Sequence, residues 1–334
     1  METLELLFED PGGGEMYKYL PSTLSLRTER TCTPATLSGD IPDVTGKTPR
    51  MGATVRLKVD GVLMFYGFVF SSSITRWGVL SFTAYDSLRY LKNTFSNHYD
   101  GSYTFDQVLR DIATANNLKI GKIAQTPNLG RNLSIDNESG FDVISRLVDT
   151  ATVLTKKILV FYDNFGELTL SYADEMIADV LVGDDALATE YTLTTNIDDD
   201  TYNQIALFRE SSSTGGRAYV TAPPKEQHNE NADKWGVLRL TETVDDILTD
   251  AQMQDRADKL LEMKNRPFKS MNITALGVVG LRAGMMITIH FPSLDDEVSK
   301  RQTVILDAVE HTFEDCTHTM TLETRTFWRD TTDA

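Results

Sequence analysis

The sequence predicts a mainly β fold with α+β insertions: two similar β-barrel units and a peripheral α+β module. Three observations predict it. Apolar and polar residues alternate with strand period, as in Val55, Leu57 and Val59 against Arg56 and Lys58. Helical spacing is confined to the middle of the chain and to one stretch near residues 244–265. The pattern Arg-x-Gly-x-x-(Val/Ile)-x-(Leu/Ile) occurs twice, at Arg50 to Leu57 and at Arg282 to Ile289, each time ahead of a strand and a hairpin. The 334 residues suit about two domains of roughly 150 residues each.

The first unit is expected over residues 1–95. Pro11-Gly12-Gly13-Gly14, Pro34, Pro42 and Pro49 break its early part into turns and short strands. Asp60-Gly61 is a tight-turn dipeptide, so the strand ending at Val59 returns through Val62 to Phe70, and another strand follows at Val79 to Ala84. The module is expected over residues 96–195. Thr104-Phe105-Asp106-Gln107 reads as a capping box, and Phe105, Val108, Leu109, Ile112 and Ala113 share one helical face. A second helix starts near Ser139, and a hairpin turns through Asp163-Asn164-Phe165-Gly166.

The second unit is expected over residues 196–334. Strands are predicted at Gln204 to Phe208 and Arg217 to Thr221, and Ala222 to Lys234 reads as a polar loop. A helix over Val244 to Asn265 carries Asp245, Asp246 and Asp250 early and Lys259 and Lys264 late, matching the helix dipole, and Arg266-Pro267 stops it. Strands complete the unit, with a long hairpin across Glu314-Asp315-Cys316.

Composition narrows the function. The 41% hydrophobic and 24% charged residues are close to soluble globular averages and argue against disorder, collagen and coiled coil. No run nears the roughly 18 apolar residues of a membrane span, and Met1-Glu2-Thr3-Leu4-Glu5 lacks the features of a secretory signal. Lys plus Arg number 32 against 49 Asp plus Glu, a net charge of −17. Such a surface repels a phosphate backbone, which argues against nucleic-acid binding but suits a channel through which DNA passes without sticking. Cys32 and Cys316 are far apart in sequence and expected to be reduced thiols.

No catalytic constellation emerges, and no cofactor or metal is expected. His311, Cys316 and His318 are three potential zinc ligands within one hairpin, but their spacing fits neither helical His pairs nor a Cys-x-x-Cys knuckle; His98, His228 and His290 stand apart. Pro11 to Gly14 lacks the Lys-Ser/Thr of a phosphate loop. Ser71-Ser72-Ser73 and Ser211 to Gly216 contain no nucleophile elbow and read as loops. Asp198-Asp199-Asp200 and Asp295-Asp296-Glu297 lack the pattern of a calcium loop. Phe65, Tyr66, Phe68 and Phe70 read as barrel core rather than as a sugar platform.

An ordered series spans nearly the whole chain: Gly52-x-x-Val55-x-Leu57-x-x-Asp60-Gly61-x-x-x-Phe65-x-Gly67-x-Val69, Tyr85-Asp86-Ser87-Leu88-Arg89-Tyr90-Leu91-Lys92-Asn93, and Tyr103-Thr104-Phe105. Phe161-Tyr162-Asp163 with Gly166-x-Leu168-x-Leu170, Tyr202-Asn203-x-Ile205, Trp235-Gly236-x-Leu238-Arg239, Lys264-Asn265-Arg266-Pro267 and Leu281-Arg282-Ala283-Gly284 follow. This series resembles the XkdQ/YqbQ-like proteins of phage-like elements such as PBSX, which are similar to baseplate hub proteins of contractile tails. The resemblance implies a non-enzymatic structural subunit with two tube-type β-barrel domains. It implies a homotrimer whose pseudo-sixfold ring adapts the sixfold tail tube to the threefold central spike in the virion baseplate. The implied partners are the chain itself, the tail tube protein, the central spike protein and other baseplate proteins, with DNA only as passing cargo, no membrane insertion, and synthesis in the bacterial cytoplasm. The alternative is a cell-wall glycan hydrolase or carbohydrate-binding tail component; a cytoplasmic protein for a small ligand is a third.

Overall fold

The computed structural model describes residues 3–42, 48–210, 217–223, 229–244, 249–294 and 299–325. The first β-unit consists of β1 (Leu4–Glu9), β2 (Met16–Tyr19), β3 (Thr23–Glu29), β4 (Thr36–Ile41), β5 (Thr54–Val59), β6 (Val62–Ile74) and β7 (Leu80–Tyr85). Its strands lie in the order β3-β4-β7-β6-β5-β1-β2, all antiparallel. Alternate residues are buried, and Leu6, Leu24, Leu37, Leu57, Phe65 and Phe82, each from a different strand, share one core. Strands spaced about 4.8 Å apart reach a common cluster only if the sheet curls around it. Burying each such side chain contributes about 2 kcal/mol.

The middle module opens with a 3-10 turn, Ser87–Lys92, capped by Asp86. It continues through β8 (Thr94–Tyr103), α1 (Phe105–Ala115), β9 (Lys119–Ile123), β10 (Gly130–Ser139), α2 (Gly140–Thr155), β11 (Leu159–Asp163) and β12 (Glu167–Tyr172). Thr104 and Ser139 cap the two helices by accepting the N–H of Gln107 and Asp142. The apolar faces of α1 and α2 meet Phe161, Leu168 and Leu170 in a separate core.

Next come β13 (Ile177–Gly183), β14 (Ala188–Asn196), β15 (Gln204–Glu210), β16 (Arg217–Ala222), α3 (Glu230–Trp235), β17 (Arg239–Val244), α4 (Asp250–Lys264), β18 (Phe268–Leu276), β19 (Met286–His290), β20 (Gln302–Glu314) and β21 (Thr317–Arg325). β13 and all of β14 but Asn196 fall inside the span 96–195 expected for the module, yet they pair with β19 and β18 and so extend the C-terminal sheet. Between β14 and β18, the strands β16-β15-β17 and α4 form a small layer closed by Ile205, Leu207, Met253 and Ala257.

Several local expectations are corrected. The helix expected from Val244 begins at Asp250, where Thr249 and Gln252 form a reciprocal capping box; Val244 ends β17, and residues 245–248 lie outside the described residues. The expected loop through Lys234 contains α3. Ser71-Ser72-Ser73 is not a loop: it is the far arm of β6, paired with β7. Of the four aromatics in β6 only Phe65 enters the core. Tyr66, Phe68 and Phe70 point to the opposite face, because a strand sends successive side chains to opposite sides; there Tyr66 packs edgewise on Phe68, Phe68 on Tyr90 and Phe70 on Tyr85.

The two Arg-x-Gly segments occupy matching places. The order β3-β4-β7-β6-β5-β1 in the first sheet is repeated as β14-β18-β21-β20-β19-β13 in the second, although β1 joins β5 antiparallel while β13 joins β19 parallel. Gly52 N–H donates to the Val69 carbonyl and Val69 N–H to Ala53, at 2.8 and 2.9 Å; Gly284 and Leu306, then Leu306 and Met285, do the same at 2.7 and 2.9 Å. Both glycines have positive φ, 79° and 86°, which explains the residue type. The long strands also share a bulge: pairing skips Phe70 between Val69 and Ser71, and Asp307 between Leu306 and Ala308.

Candidate assembly interface

The two sheets are joined edge to edge within the chain. β20 pairs with β21 along one side; on the other, Gln302 to Ile305 pair with β19 and Ala308 to Glu314 pair with β3. The result is one 13-stranded sheet. Side chains reinforce this seam. Arg30 donates to the Asp307 carboxylate at 2.6 Å while its N–H bonds the Asp307 carbonyl at 2.8 Å, and Asp307 is 8% exposed. Half-exposed Arg27 reaches Glu29, Glu310 and Glu323 at 2.8, 3.4 and 2.9 Å, and Ser25 donates to Glu310.

A second junction ties both sheets to the module. Asp86, at the end of β7, accepts the N–H groups of Ala35 and Leu88, each at 3.0 Å. Asp163, at the end of β11, accepts those of Ser87 at 3.2 Å and Gly166 at 2.6 Å. Arg282, from the second Arg-x-Gly loop, donates to the Asp163 carbonyl at 3.0 Å with its guanidinium 4.3 Å from the Tyr162 ring centroid. Burial pushes the Asp86 carboxyl well above the ordinary range, and the neighbouring Asp163 charge pushes it further. Asp163 is raised by burial too, while the Arg282 charge opposes both shifts. The matching Arg50 of the first copy is exposed and sits 3.9 Å from Asp10.

Asp86, Asp163 and Arg282 thus converge from three separate segments of the ordered series, and no local signal in any one of them announces the meeting. The later segments converge as well. Buried Asn203 donates to the Gly236 carbonyl at 2.7 Å and accepts from Leu238 N–H at 2.9 Å. Tyr202 N–H bonds the Lys264 carbonyl, and Thr201 Oγ1 donates to Arg266 at 3.1 Å and accepts from Phe268 N–H. Asn203 therefore braces the small β15–β17 layer internally, while Thr201 ties it to the start of β18 in the second sheet.

The remaining candidate groups are placed as follows. His311 is fully buried and His318 meets it across the β20–β21 hairpin, with Nδ1 of His311 2.9 Å from Nε2 of His318 and Nε2 of His311 2.8 Å from the Leu281 carbonyl. Cys316 is exposed in the connecting turn. Among the described residues no group of three or more His, Cys, Asp or Glu side chains is gathered so as to hold a metal ion. Pro11 to Gly14 is the turn between β1 and β2. Asn196 accepts the N–H groups of Asp198 and Asp199, which folds the acidic triplet into a turn, and Asp200 pairs with Lys264. Asp295-Asp296-Glu297 and Ser211 to Gly216 lie outside the described residues. No helix among the described residues is long and apolar enough to cross a membrane.

Comparisons with known proteins agree with this architecture. A family model described as YQBQ-like matches residues 24–325. The phage-like element PBSX protein XkdQ of Bacillus subtilis is 27% identical over 315 residues, covering 92% of this chain and 93% of XkdQ. Among solved structures, the 43 kDa tail protein of prophage MuSo2 from Shewanella oneidensis shares the fold with a TM-score of 0.69 at 11% identity, covering 97% of this chain and 98% of that one. The E. coli c3393 protein, described as a type VI secretion component with structural similarity to T4 tail proteins gp27 and gp5, gives a TM-score of 0.54 at 10% identity, covering 99% of this chain and 75% of that one.

Proposed function

The chain belongs to the YQBQ-like family, and from that premise we propose that it is the structural baseplate hub subunit of a phage or phage-derived contractile tail. Three copies close a ring that adapts the sixfold tail tube to the threefold central spike. The observation that carries this reading is the duplicated sheet: one strand order occurs twice in the chain, and the copies are already joined edge to edge through β3 and β20. Three chains so built present six similar units around an axis, which is the match a sixfold tube requires, while the differing insertions keep the true symmetry threefold. The Bacillus relative named for a phage-like element and the Shewanella prophage tail protein support the setting.

In this reading the chain works through surfaces rather than catalysis. Its partners are further copies of itself, the tube protein on one side, the spike on the other, and other baseplate proteins around the middle module. It is made in the bacterial cytoplasm and resides in the virion tail. The net charge of −17 keeps passing DNA from adhering.

Mass measurement and electron microscopy of the chain with its own tube protein test the proposal. Threefold rings with six similar lobes, stacked on tube ends, are expected. A monomer that neither rings nor caps tubes, or turnover of purified peptidoglycan, defeats it.

A further inference from the structure

The in-chain seam has a counterpart left open in the other copy. In the matching of the two sheets, Ser71, Ser72, Ser73 and Ile74 of β6 stand where Ala308, Val309, Glu310 and His311 of β20 stand, each run following its bulge and pairing with β7 or β21. Likewise Leu193, Thr194, Thr195 and Asn196 of β14 stand where Leu26, Arg27, Thr28 and Glu29 of β3 stand, because β14–β18–β21 repeats the register of β3–β4–β7. The far arm of β20 lies on the outer edge of β3. Among the described residues, no strand pairs with the outer edge of β14, nor with Ser71 to Ile74 on the side away from β7.

Burial follows the same division. Ala308, Val309 and His311 are 3%, 0% and 0% exposed where β3 covers them, whereas Ser71 and Ser73 are exposed and Ile74 is 53% exposed. Thr28 is 8% exposed, while its counterpart Thr195 is open to solvent. Natural sheets guard such edges with charges, prolines or cover. Here the two segments Ser71–Ile74 and Leu193–Asn196 carry serine, threonine, isoleucine, leucine and asparagine and no charge.

We propose that Ser71 to Ile74 of one chain adds antiparallel to Leu193 to Asn196 of a second copy, placing Ser71 opposite Asn196, Ser72 opposite Thr195, Ser73 opposite Thr194 and Ile74 opposite Leu193. The occupant is a second copy because the chain already makes this joint with itself: arm of one unit, edge of the other, in the register Glu310–Arg27 and His311–Leu26. Each chain supplies one arm and one edge, so the contact is head-to-tail and repeats around a ring. Across the in-chain seam Arg27 pairs with Glu310 and Glu323, whereas the four pairs of the proposed seam carry no charge, so the two differ in salt dependence. Closure at three copies rests on the hub reading; the register does not.

Paired cysteines test it. Ser73→Cys with Thr194→Cys is made in a Cys316→Ser background, which removes the exposed thiol; Cys32 stays, since burial pushes its thiol up to about 12. Oxidation is expected to yield covalent species between chains, ending at trimers. The shifted pair Ser71→Cys with Thr194→Cys is expected to link about tenfold less, because a two-residue slip takes the Cβ atoms out of disulfide range. Separately, Ile74→Lys, at an exposed site, is expected to keep the circular dichroism of the parent and weaken self-association about tenfold by placing an unpaired charge in the seam. Trimers without the in-register link, or equal linking by both pairs, overturn the register while leaving the ring. A chain that stays monomeric at every concentration overturns both.

Discussion

Nε2 of His318 lies 2.9 Å from Nδ1 of His311, and the other nitrogen of His311 lies 2.8 Å from the Leu281 carbonyl. A carbonyl only accepts, so His311 carries its proton on Nε2, and His318 donates to the bare Nδ1. The arrangement fits a neutral His311 whose Nδ1 serves as an acceptor. Burial, with the His318 charge as a further cause, lowers its pKa from 6.5 to about 4.

Stability is therefore expected to depend on pH in this window. The unfolded chain takes up the proton as pH falls through 6.5, whereas the folded chain resists until about 4, so the stabilisation is complete above 6.5 and lost on acidification. Between pH 7 and pH 4 the loss through this group is about 3 kcal/mol. Urea titrations of the parent and His311→Gln at both pH values check it: the gap between them narrows by about that amount, and a gap that is constant or widens in acid contradicts the assignment.

Arg282 and Arg50 head the two copies of one motif but are expected to differ sharply. Arg282→Ala leaves Asp86 and Asp163 buried without their neighbouring positive charge and costs about 3 kcal/mol or more. Arg50→Ala, at an exposed side chain, changes stability by about 0.5 kcal/mol or less. Equal losses in denaturant midpoint for the two variants would contradict the role given to the buried junction.

The motif glycines give a similar contrast. Gly52→Ala meets nothing nearer than Pro11 at 3.9 Å and bears only the cost of positive φ, about 1 kcal/mol. At Gly284 a Cβ would also stand 2.3 Å from Val160 Cγ1, so Gly284→Ala adds a steric conflict between the second sheet and β11. Its loss is expected to exceed that of Gly52→Ala by about 2 kcal/mol, read from thermal or urea unfolding.

The Arg27 network is expected to contribute little to stability despite its three partners. Its side chain and those of Glu29, Glu310 and Glu323 are all more than a third exposed or close to it, so Arg27→Ala costs about 1 kcal/mol and the difference shrinks in high salt. A salt-insensitive loss of several kcal/mol would assign the seam's strength to this arginine instead of to the strand pairing.

Where the signal was local, the sequence was legible. The cap at Thr104, the helix start near Ser139, the β5–β6 turn at Asp60-Gly61 and the β20–β21 hairpin follow from neighbours in the chain, and the paired Arg-x-Gly segments marked two related sheets. Ser71 to Ser73 was misread because hydroxyl residues favour turns when nothing else is known, while here the register of β7 holds them extended. That β13 and β14 pair with strands of the second sheet was not legible, because strand periodicity does not say which strand is the neighbour.

The sequence by itself determined the class of fold and marked its duplication, since side-chain period and turn chemistry act within a few residues. The tertiary structure alone decided that Asp86, Asp163 and Arg282 meet, that β20 crosses from one sheet to the other, and that, among the described residues, no strand pairs with the outer edges of Ser71 to Ile74 and of β14. Those are pairings between residues remote in the chain, fixed by the packing of whole sheets around their cores, and no local pattern encodes them.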